Sequence, residues 1–300
     1  MNEDPTRLRL REGGPRGVSA KDPTDTVAPV QERPRTVPNF ETDPLGRILM
    51  PAVAEFLGTL IYVLITDLLG MAGNTPISRI GMALFDGLTL TALVIMLTPF
   101  GGGHFNPSVT MGSMLTLNIR WLVGAVVIFC QMFGAFFGAL LSRAVLKASV
   151  FVDLFSALGI IQFQNEYPPI DTDYLQFSNR FQIYFLDSIM YSFIVLAVVL
   201  TVNENFAMAF CVGIAKIATG YISFQSIGQA GNFARLVANN AIASIFLMDD
   251  RVWRLFYIFF FSAITGPILA AIFYWALNTT RLPRLDATQP VNEEPILTRS

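Results

Sequence analysis

The sequence predicts an all-α membrane protein, with six transmembrane helices and two half-helices arranged as an inverted repeat. Three observations lead to this prediction. Of the 300 residues, 53% are hydrophobic and 14% are charged, whereas water-soluble domains carry about 25% charged residues. Six apolar runs reach the roughly 20 residues that a helix needs to cross a bilayer. Two glycine-rich segments, each with an asparagine, lead into apolar helices that are too short to cross.

The order of the elements indicates an internal duplication. The six candidate spans occupy residues 48–69, 80–99, 121–141, 181–202, 206–227 and 255–277. The short helices follow the second and the fifth span, so the order span, span, half-helix, span occurs twice. Because each unit holds three spans, the second unit enters the membrane from the opposite side. Inverted repeats whose broken helices meet at the midplane are a known architecture of transport proteins.

Composition also sets the domain boundaries. Residues 1–46 are polar and rich in Pro, Arg, Asp and Thr, which predicts a disordered tail, and residues 281–300 predict a second one. The membrane domain then covers residues 47–280, with half-repeats at about 48–145 and 181–278 and an extracellular connecting loop at 146–180.

Basic residues near the first span suggest the orientation. Arg33, Arg35 and Arg47 precede the first span, and the positive-inside rule places such residues in the cytoplasm. An even number of spans puts the C-terminus on the same side. The expected location is therefore a multi-pass position in the plasma membrane or an intracellular membrane, with both termini cytoplasmic.

The two glycine-rich segments have the features of helix starts. Residues 101–110 read GGGHFNPSVT and residues 228–235 read GQAGNFAR. Asn106 is a good N-cap and Pro107 suits the first helical position, and Asn232 stands in the corresponding place of the second segment. Two half-helix N-termini that point at one spot create a positive potential there, which repels cations and protons.

An acid lies near the start of the first span of each unit, Glu55 in one and Asp187 in the other. Acids inside membrane spans are costly, and most are paired or functional. We expect both to accept hydrogen bonds from the bent backbone of the glycine-rich loops, which is a structural role. The alternative for each is an acid that reaches the membrane surface near a helix end.

Four segments together resemble the aquaporin (major intrinsic protein) family. Residues 101–110 resemble its SGxHxNPAVT motif, residues 55–59 (EFLGT) its ExxGT, residues 131–135 (QMFGA) its QxxGA, and residues 228–235 its GxxxNPAR. The resemblance implies an aquaporin-like bundle with a pore inside each monomer, a homotetramer, and two asparagines that donate to a single file of water. The pore motifs are then Asn106, Pro107, Ser108, Asn232, Phe233 and Ala234.

The resemblance also implies a selectivity constriction, placed by counting from the asparagines without gaps. Its four members are Asp86, Gly220, Gln229 and Arg235. Gly220 is the wide-pore choice of glycerol-conducting members. Lys216, one helical turn from Gly220, and His104 are further candidates for the pore wall, although we expect His104 to bond backbone carbonyls of the glycine loop.

Two positions depart from the family pattern. Phe233 replaces a proline, and its ring should meet Pro107 where the half-helices join. Asp86 stands where the family has an aromatic residue, and we expect it to pair with Arg235 or Lys216 across the mouth. The alternative is a count that slips by one, so that Phe85 faces the pore and Asp86 a neighbouring helix.

The leading functional interpretation is a passive channel for water, with small neutral solutes as further substrates. A glycerol-conducting channel is one alternative, and a poorly conducting structural or adhesion protein on the same fold is another. A regulated ion channel is a third. We expect no enzymatic activity, catalytic residue, cofactor or metal site, and the net charge of −2 suggests no nucleic-acid partner.

Overall fold

The computed structural model describes residues 46–72, 75–147, 149–151, 180–226, 231–248, 250–253 and 255–279. The helices in these ranges are α1 (Gly46–Leu68), α2 (Pro76–Leu97), α3 (Pro107–Leu115), α4 (Trp121–Val145), α5 (Arg180–Val199), α6 (Asn205–Ser226), α7 (Phe233–Leu247) and α8 (Phe256–Thr279). The predicted tail up to residue 45, the tail at 281–300 and most of the loop 146–180 lie outside the described residues.

The described part of the chain is all-helical, and the predicted order of elements is confirmed. Helices α1, α2, α4, α5, α6 and α8 are each long and apolar enough to cross a membrane. Helix α3 has nine residues and α7 has 15, so neither reaches the length that a span needs. The chain is therefore a multi-pass membrane protein with two half-helices.

Corresponding helices of the two half-repeats pack in the same way. Helix α1 lies along α4, and α5 lies along α8. Gly138 allows the first contact, since a Cβ atom there would lie 2.5 Å from the carbonyl oxygen of Leu60. Gly266 allows the second, since its Cβ would lie 2.8 Å from the carbonyl oxygen of Ser188. Small residues let membrane helices approach to backbone contact.

Helices α2 and α6 join the two half-repeats. They cross at Gly87 and Gly213, where a Cβ on Gly213 would lie 3.0 Å from the carbonyl oxygen of Gly87. Any side chain at this crossing would push the two helices apart. The crossing therefore fixes the distance between the half-repeats and with it the space left for the interior.

The surface and the interior of the bundle have opposite character. Phe129, Phe133 and Phe137 repeat at every fourth position of α4 and are all exposed, as expected of a face in contact with lipid. In contrast, Glu55 and Gln131 are fully buried. Buried polar groups need partners, so these side chains are expected to belong to a hydrogen-bond network in the interior, where a functional site can form.

Candidate functional site

The two asparagines of the glycine-rich segments cap the half-helices. Asn106 Oδ1 accepts a hydrogen bond from the backbone N–H of Ser108 at 3.1 Å, and Asn232 Oδ1 accepts one from the N–H of Arg235 at 3.2 Å. Both asparagines have extended backbone, with φ of −156° and −142°, as N-cap residues do. Both half-helix N-termini are thus defined by their side chains.

The caps also brace the two halves against each other. Asn106 Nδ2 donates to the carbonyl oxygen of Gly231 at 2.7 Å, and Asn232 Nδ2 donates to that of Phe105 at 2.8 Å. The sequence required the two helix starts to converge, and they do. An amide nitrogen carries two hydrogens, so one N–H of each asparagine remains for the space between the helix ends.

Glu55 on α1 holds the backbone of the first loop. Its Oε1 accepts the N–H of His104 and its Oε2 the N–H of Phe105, both at 2.7 Å. Gln131 Nε2 on α4 also donates to Oε2, at 2.7 Å. These are the hydrogen bonds to bent backbone that the sequence leads one to expect. They bring together three of the four segments that carry the family resemblance.

Phe105 explains another position in these segments. Its φ is +46°, an uncommon conformation for a residue with a bulky side chain, and its ring is fully buried. A Cβ atom on Gly58 would overlap that ring. Glycine at 58 therefore makes room for a loop conformation that the Glu55 hydrogen bond holds in place.

His104 departs from expectation. Its Nδ1 lies 3.1 Å from Thr110 Oγ1 and its Nε2 lies 3.3 Å from Ser113 Oγ. The ring therefore turns back over the first turns of α3 and bonds hydroxyl groups, not the loop carbonyls that we expected. Those hydroxyls are within reach because Thr110 and Ser113 are three residues apart and share a face of the helix.

Asp187 is fully buried on α5. Its Oδ2 accepts a hydrogen bond from Ser262 Oγ on α8. The part of the second loop that it was expected to hold, residues 227–230, lies outside the described residues. Its structural role in that loop stays a prediction.

A small cavity lies between the two half-helix starts. Its volume is about 10 Å³, the lower limit for holding one water molecule. Its polar lining consists of Tyr62, His104, Asn106, Lys216, Gly231 and Asn232. The other wall is apolar, with Leu90, Val109, Ile194 and Val212. An apolar wall facing a few amide donors suits a narrow path for small uncharged molecules.

Asp86 lies at the centre of a buried cluster beside this cavity. Tyr62 Oη donates to its Oδ1 at 2.7 Å. Lys216 Nζ lies 3.4 Å from its Oδ2, and an Arg235 guanidinium nitrogen (Nη1) lies 3.9 Å from the same oxygen. Both cations expected from the sequence are therefore within 4 Å. Asp86 is 1% exposed and Phe85 is 54% exposed, so the alternative in which Phe85 faces inward is wrong.

Asp67 is the residue that sequence reasoning missed. Arg235 Nε donates to its Oδ1 at 3.1 Å, and Asn239 Nδ2 donates to the same oxygen at 2.8 Å. Arg235 Nη2 also donates to the carbonyl oxygen of Thr66 at 3.0 Å. Arg235 is thus anchored to the last turn of α1. The sequence offered two separate signals, an acid near the end of the first apolar run and two polar residues at i, i+4 in the second short helix. Only the structure shows that they meet.

The remaining constriction candidates have different outcomes. Gly220 is adjacent to the cluster, since a Cβ there would lie 3.6 Å from Ala83 Cβ and 3.7 Å from Asp86 Oδ2. Gln229 lies outside the described residues. The structure therefore brings together Asp86, Gly220 and Arg235, with Lys216 beside them.

Phe233 takes the first position of α7 and is half-buried. The centroid of its ring is 6.0 Å from that of Phe256 and 5.9 Å from that of Phe260, both at the start of α8. Its N–H lies 3.4 Å from Asn106 Oδ1. The ring is therefore held by an aromatic group on α8, and the contact with Pro107 that we expected stays a prediction.

Six spans in an inverted repeat, with two asparagine-capped half-helices meeting at a polar cavity, define the class of a membrane channel protein. The chain belongs to the major intrinsic protein family, whose profile matches residues 47–274.

Individual relatives agree with this membership. Aquaporin C of Dictyostelium discoideum is 26% identical over 230 residues, which cover 74% of this chain and 77% of that protein. Aquaporin TIP1-1 of Arabidopsis thaliana is 25% identical, over 79% of this chain and 92% of that protein. The X-ray structure of the aquaglyceroporin from Plasmodium falciparum has a TM-score of 0.58 at 19% identity, over 76% of this chain and 95% of that one. At that identity, the likeness shows the fold alone.

Proposed function

We propose that this chain is a passive channel for water, whose path runs between Asn106 and Asn232. The observation that carries the proposal is the pair of cross-bonded asparagines on a cavity of about 10 Å³. Each amide offers an uncharged donor to a passing water, and the two helix N-termini add a positive potential. The two sequence relatives named above are aquaporins, which supports water transport by this chain.

The size of the cavity favours water over glycerol. A volume of about 10 Å³ is at the limit for one water molecule, and glycerol is several times larger. The space that Gly220 leaves is next to Asp86, whose charge is paired with Lys216. The wide-pore interpretation of Gly220 is therefore not favoured, and neither is a purely structural role, given the family.

The setting of the channel completes the proposal. Each monomer contains its own path, the assembly is a homotetramer in lipid, and both termini are cytoplasmic. The basic residues near the first span support that orientation, and the exposed phenylalanines of α4 support contact with lipid. The proposal assigns the chain no catalytic residue, cofactor or metal.

Osmotic shrinkage of vesicles that contain the purified full chain tests the proposal. The wild type should shrink faster than empty vesicles, without glycerol uptake. Asn106→Leu and Asn232→Leu each remove the N–H that faces the path, together with a helix cap and a bond to the opposite loop. Loss of the bond to water raises the barrier by about 1–1.5 kcal/mol, so water flux through the folded variants should fall about tenfold.

Gly81→Ala is the matched control, because a Cβ at Gly81 would have nothing within 4 Å. Flux is normalised to the amount of inserted protein, and circular dichroism checks the helix content of each variant. Wild-type vesicles that shrink no faster than empty ones, with the protein shown to be inserted and helical, would rule the proposal out.

A further inference from the structure

The buried cluster contains two cations, and they are not equivalent. Arg235 uses Nε and Nη2 on Asp67 and on the Thr66 carbonyl, and Asn239 holds the same Asp67 oxygen. Arg235 is thus bound to α1 through two of its three nitrogens. A guanidinium fixed by a planar set of bonds has little freedom to turn.

Lys216 faces the path instead. It forms part of the cavity wall together with both asparagines, whereas Arg235 does not. A Cβ atom on Gly231 would lie 3.4 Å from Lys216 Nζ, so the ammonium reaches the backbone of the loop that precedes Asn232. A longer residue at 231 would collide with it, and the φ of +86° there also favours glycine.

Asp86 compensates for the desolvation of the Lys216 ammonium in the buried interior. The Lys216 side chain is 3% exposed and that of Asp86 is 1% exposed, with 3.4 Å between Nζ and Oδ2. A buried ammonium without a partner would be strongly unfavourable. The acid is itself fixed by Tyr62 Oη at 2.7 Å. Asp86 also borders Gly220, since its Oδ2 lies 3.7 Å from where a Cβ on Gly220 would be.

From this geometry we propose that Lys216, paired with Asp86, is the residue that determines which solutes the channel admits. Its side chain lines the cavity beside the asparagines, is held by Asp86 and excludes molecules larger than water. Its ammonium lies on the cavity wall and adds to the positive potential of the two half-helix N-termini there. The inference rests on the proposed water path and adds the element that sets its size limit and charge selection.

Two charge-balanced double variants separate size from charge. Lys216→Ala with Asp86→Ala removes both side chains and should raise glycerol permeability at least about tenfold, a barrier lowered by about 1.4 kcal/mol. Lys216→Met with Asp86→Asn keeps most of the volume and removes the charges. It should leave glycerol excluded and raise the potassium leak, which a potential-sensitive dye reports in vesicles with a potassium gradient.

Lys216→Arg is the conservative variant, which keeps the cation and should keep both glycerol and potassium excluded. Gly81→Ala again controls for reconstitution, and size-exclusion profiles and helix content show whether each variant folds. If the alanine pair does not fold, the Met–Asn pair still tests charge selection, since both substitutions are nearly isosteric.

The outcomes separate this inference from the water proposal. A wild type that conducts water, together with folded double variants that show background glycerol uptake and potassium leak, would overturn the role of Lys216 alone. A wild type that conducts nothing, with an alanine pair that conducts water and glycerol, would support Lys216 as the barrier while refuting water flux in the native chain. If neither the wild type nor any folded variant conducts water, glycerol or potassium, both proposals are refuted.

Discussion

The two half-repeats share their helix order but contribute opposite charges to the buried cluster. The first half supplies Asp67 and Asp86, on α1 and α2, and the second supplies Lys216 and Arg235, on α6 and α7. Equivalent helices pack alike in both halves. The glycine contacts and the helix caps occur in both halves and set the shared fold. The ion pairs between the halves differ, because one half supplies the acids and the other supplies the cations.

A second difference concerns the acids near the start of α1 and α5. Glu55 accepts hydrogen bonds from two loop N–H groups and from Gln131. Asp187 has one bond with a described partner, Ser262 on α8. Among the described residues, Glu55 is thus bound to the loop that precedes α3, and Asp187 to α8.

The largest expected effect comes from breaking the fixed ion pair between the halves. Asp67→Ala leaves the Arg235 guanidinium buried with its best partner removed, which costs about 3–5 kcal/mol. The measurement is thermal unfolding of the purified protein in detergent. Asp67→Asn should be milder, since its carbonyl oxygen still accepts a hydrogen bond. An alanine variant as stable as the wild type would mean that Asp67 does not anchor Arg235.

The next effect sharpens the contrast between the two acids. Glu55→Gln puts an amide N–H against donors from the loop or from Gln131, and one unsatisfied buried donor costs about 1–3 kcal/mol. Asp187→Asn keeps an oxygen for Ser262. It also replaces a buried charge whose other oxygen has no described partner, which offsets the new amide donor, so it should cost about 1 kcal/mol or less. Thermal unfolding of the pair provides the comparison. Equal losses of stability would show that Asp187 contributes as much to the stability of the protein as Glu55 does.

The smallest expected effect makes the two half-helix starts alike. Phe233→Pro gives α7 the residue that α3 has at its first position, which is compatible with a helix N-terminus. It removes the ring contacts with Phe256 and Phe260, worth about 0.5–1.5 kcal/mol, and the long bond from the residue 233 N–H to Asn106 Oδ1. A small drop in the unfolding temperature is expected. A gain in stability would mean that the aromatic group on α8 does not compensate for the missing proline.

Sequence reasoning succeeded where the signal is local. Span length, the caps at Asn106 and Asn232 and the doubled order of elements follow from neighbouring residues, and the structure has them. The partners of Asp86 were also within reach, because the family resemblance places Asp86, Gly220 and Arg235 in one constriction, with Lys216 one helical turn from Gly220.

It failed where the partner is distant in the chain or where several partners are chemically equal. Asp67 and Arg235 are 168 residues apart, and no periodicity connects them. The ring nitrogens of His104 can bond a carbonyl or a hydroxyl equally well. The backbone conformation of the loop brings them to the hydroxyls of Thr110 and Ser113, and the sequence does not reveal that conformation.

The exchange of hydrogen bonds between the two loops also bears on how the chain matures during synthesis. When the ribosome has delivered only α1 to α4, the amide of Asn106 and the carbonyl of Phe105 still lack the partners that residues 231 and 232 bring. The first half can enter the bilayer, but its loop reaches its final form only when the second half docks. The geometry of the first loop is thereby coupled to completion of the second half.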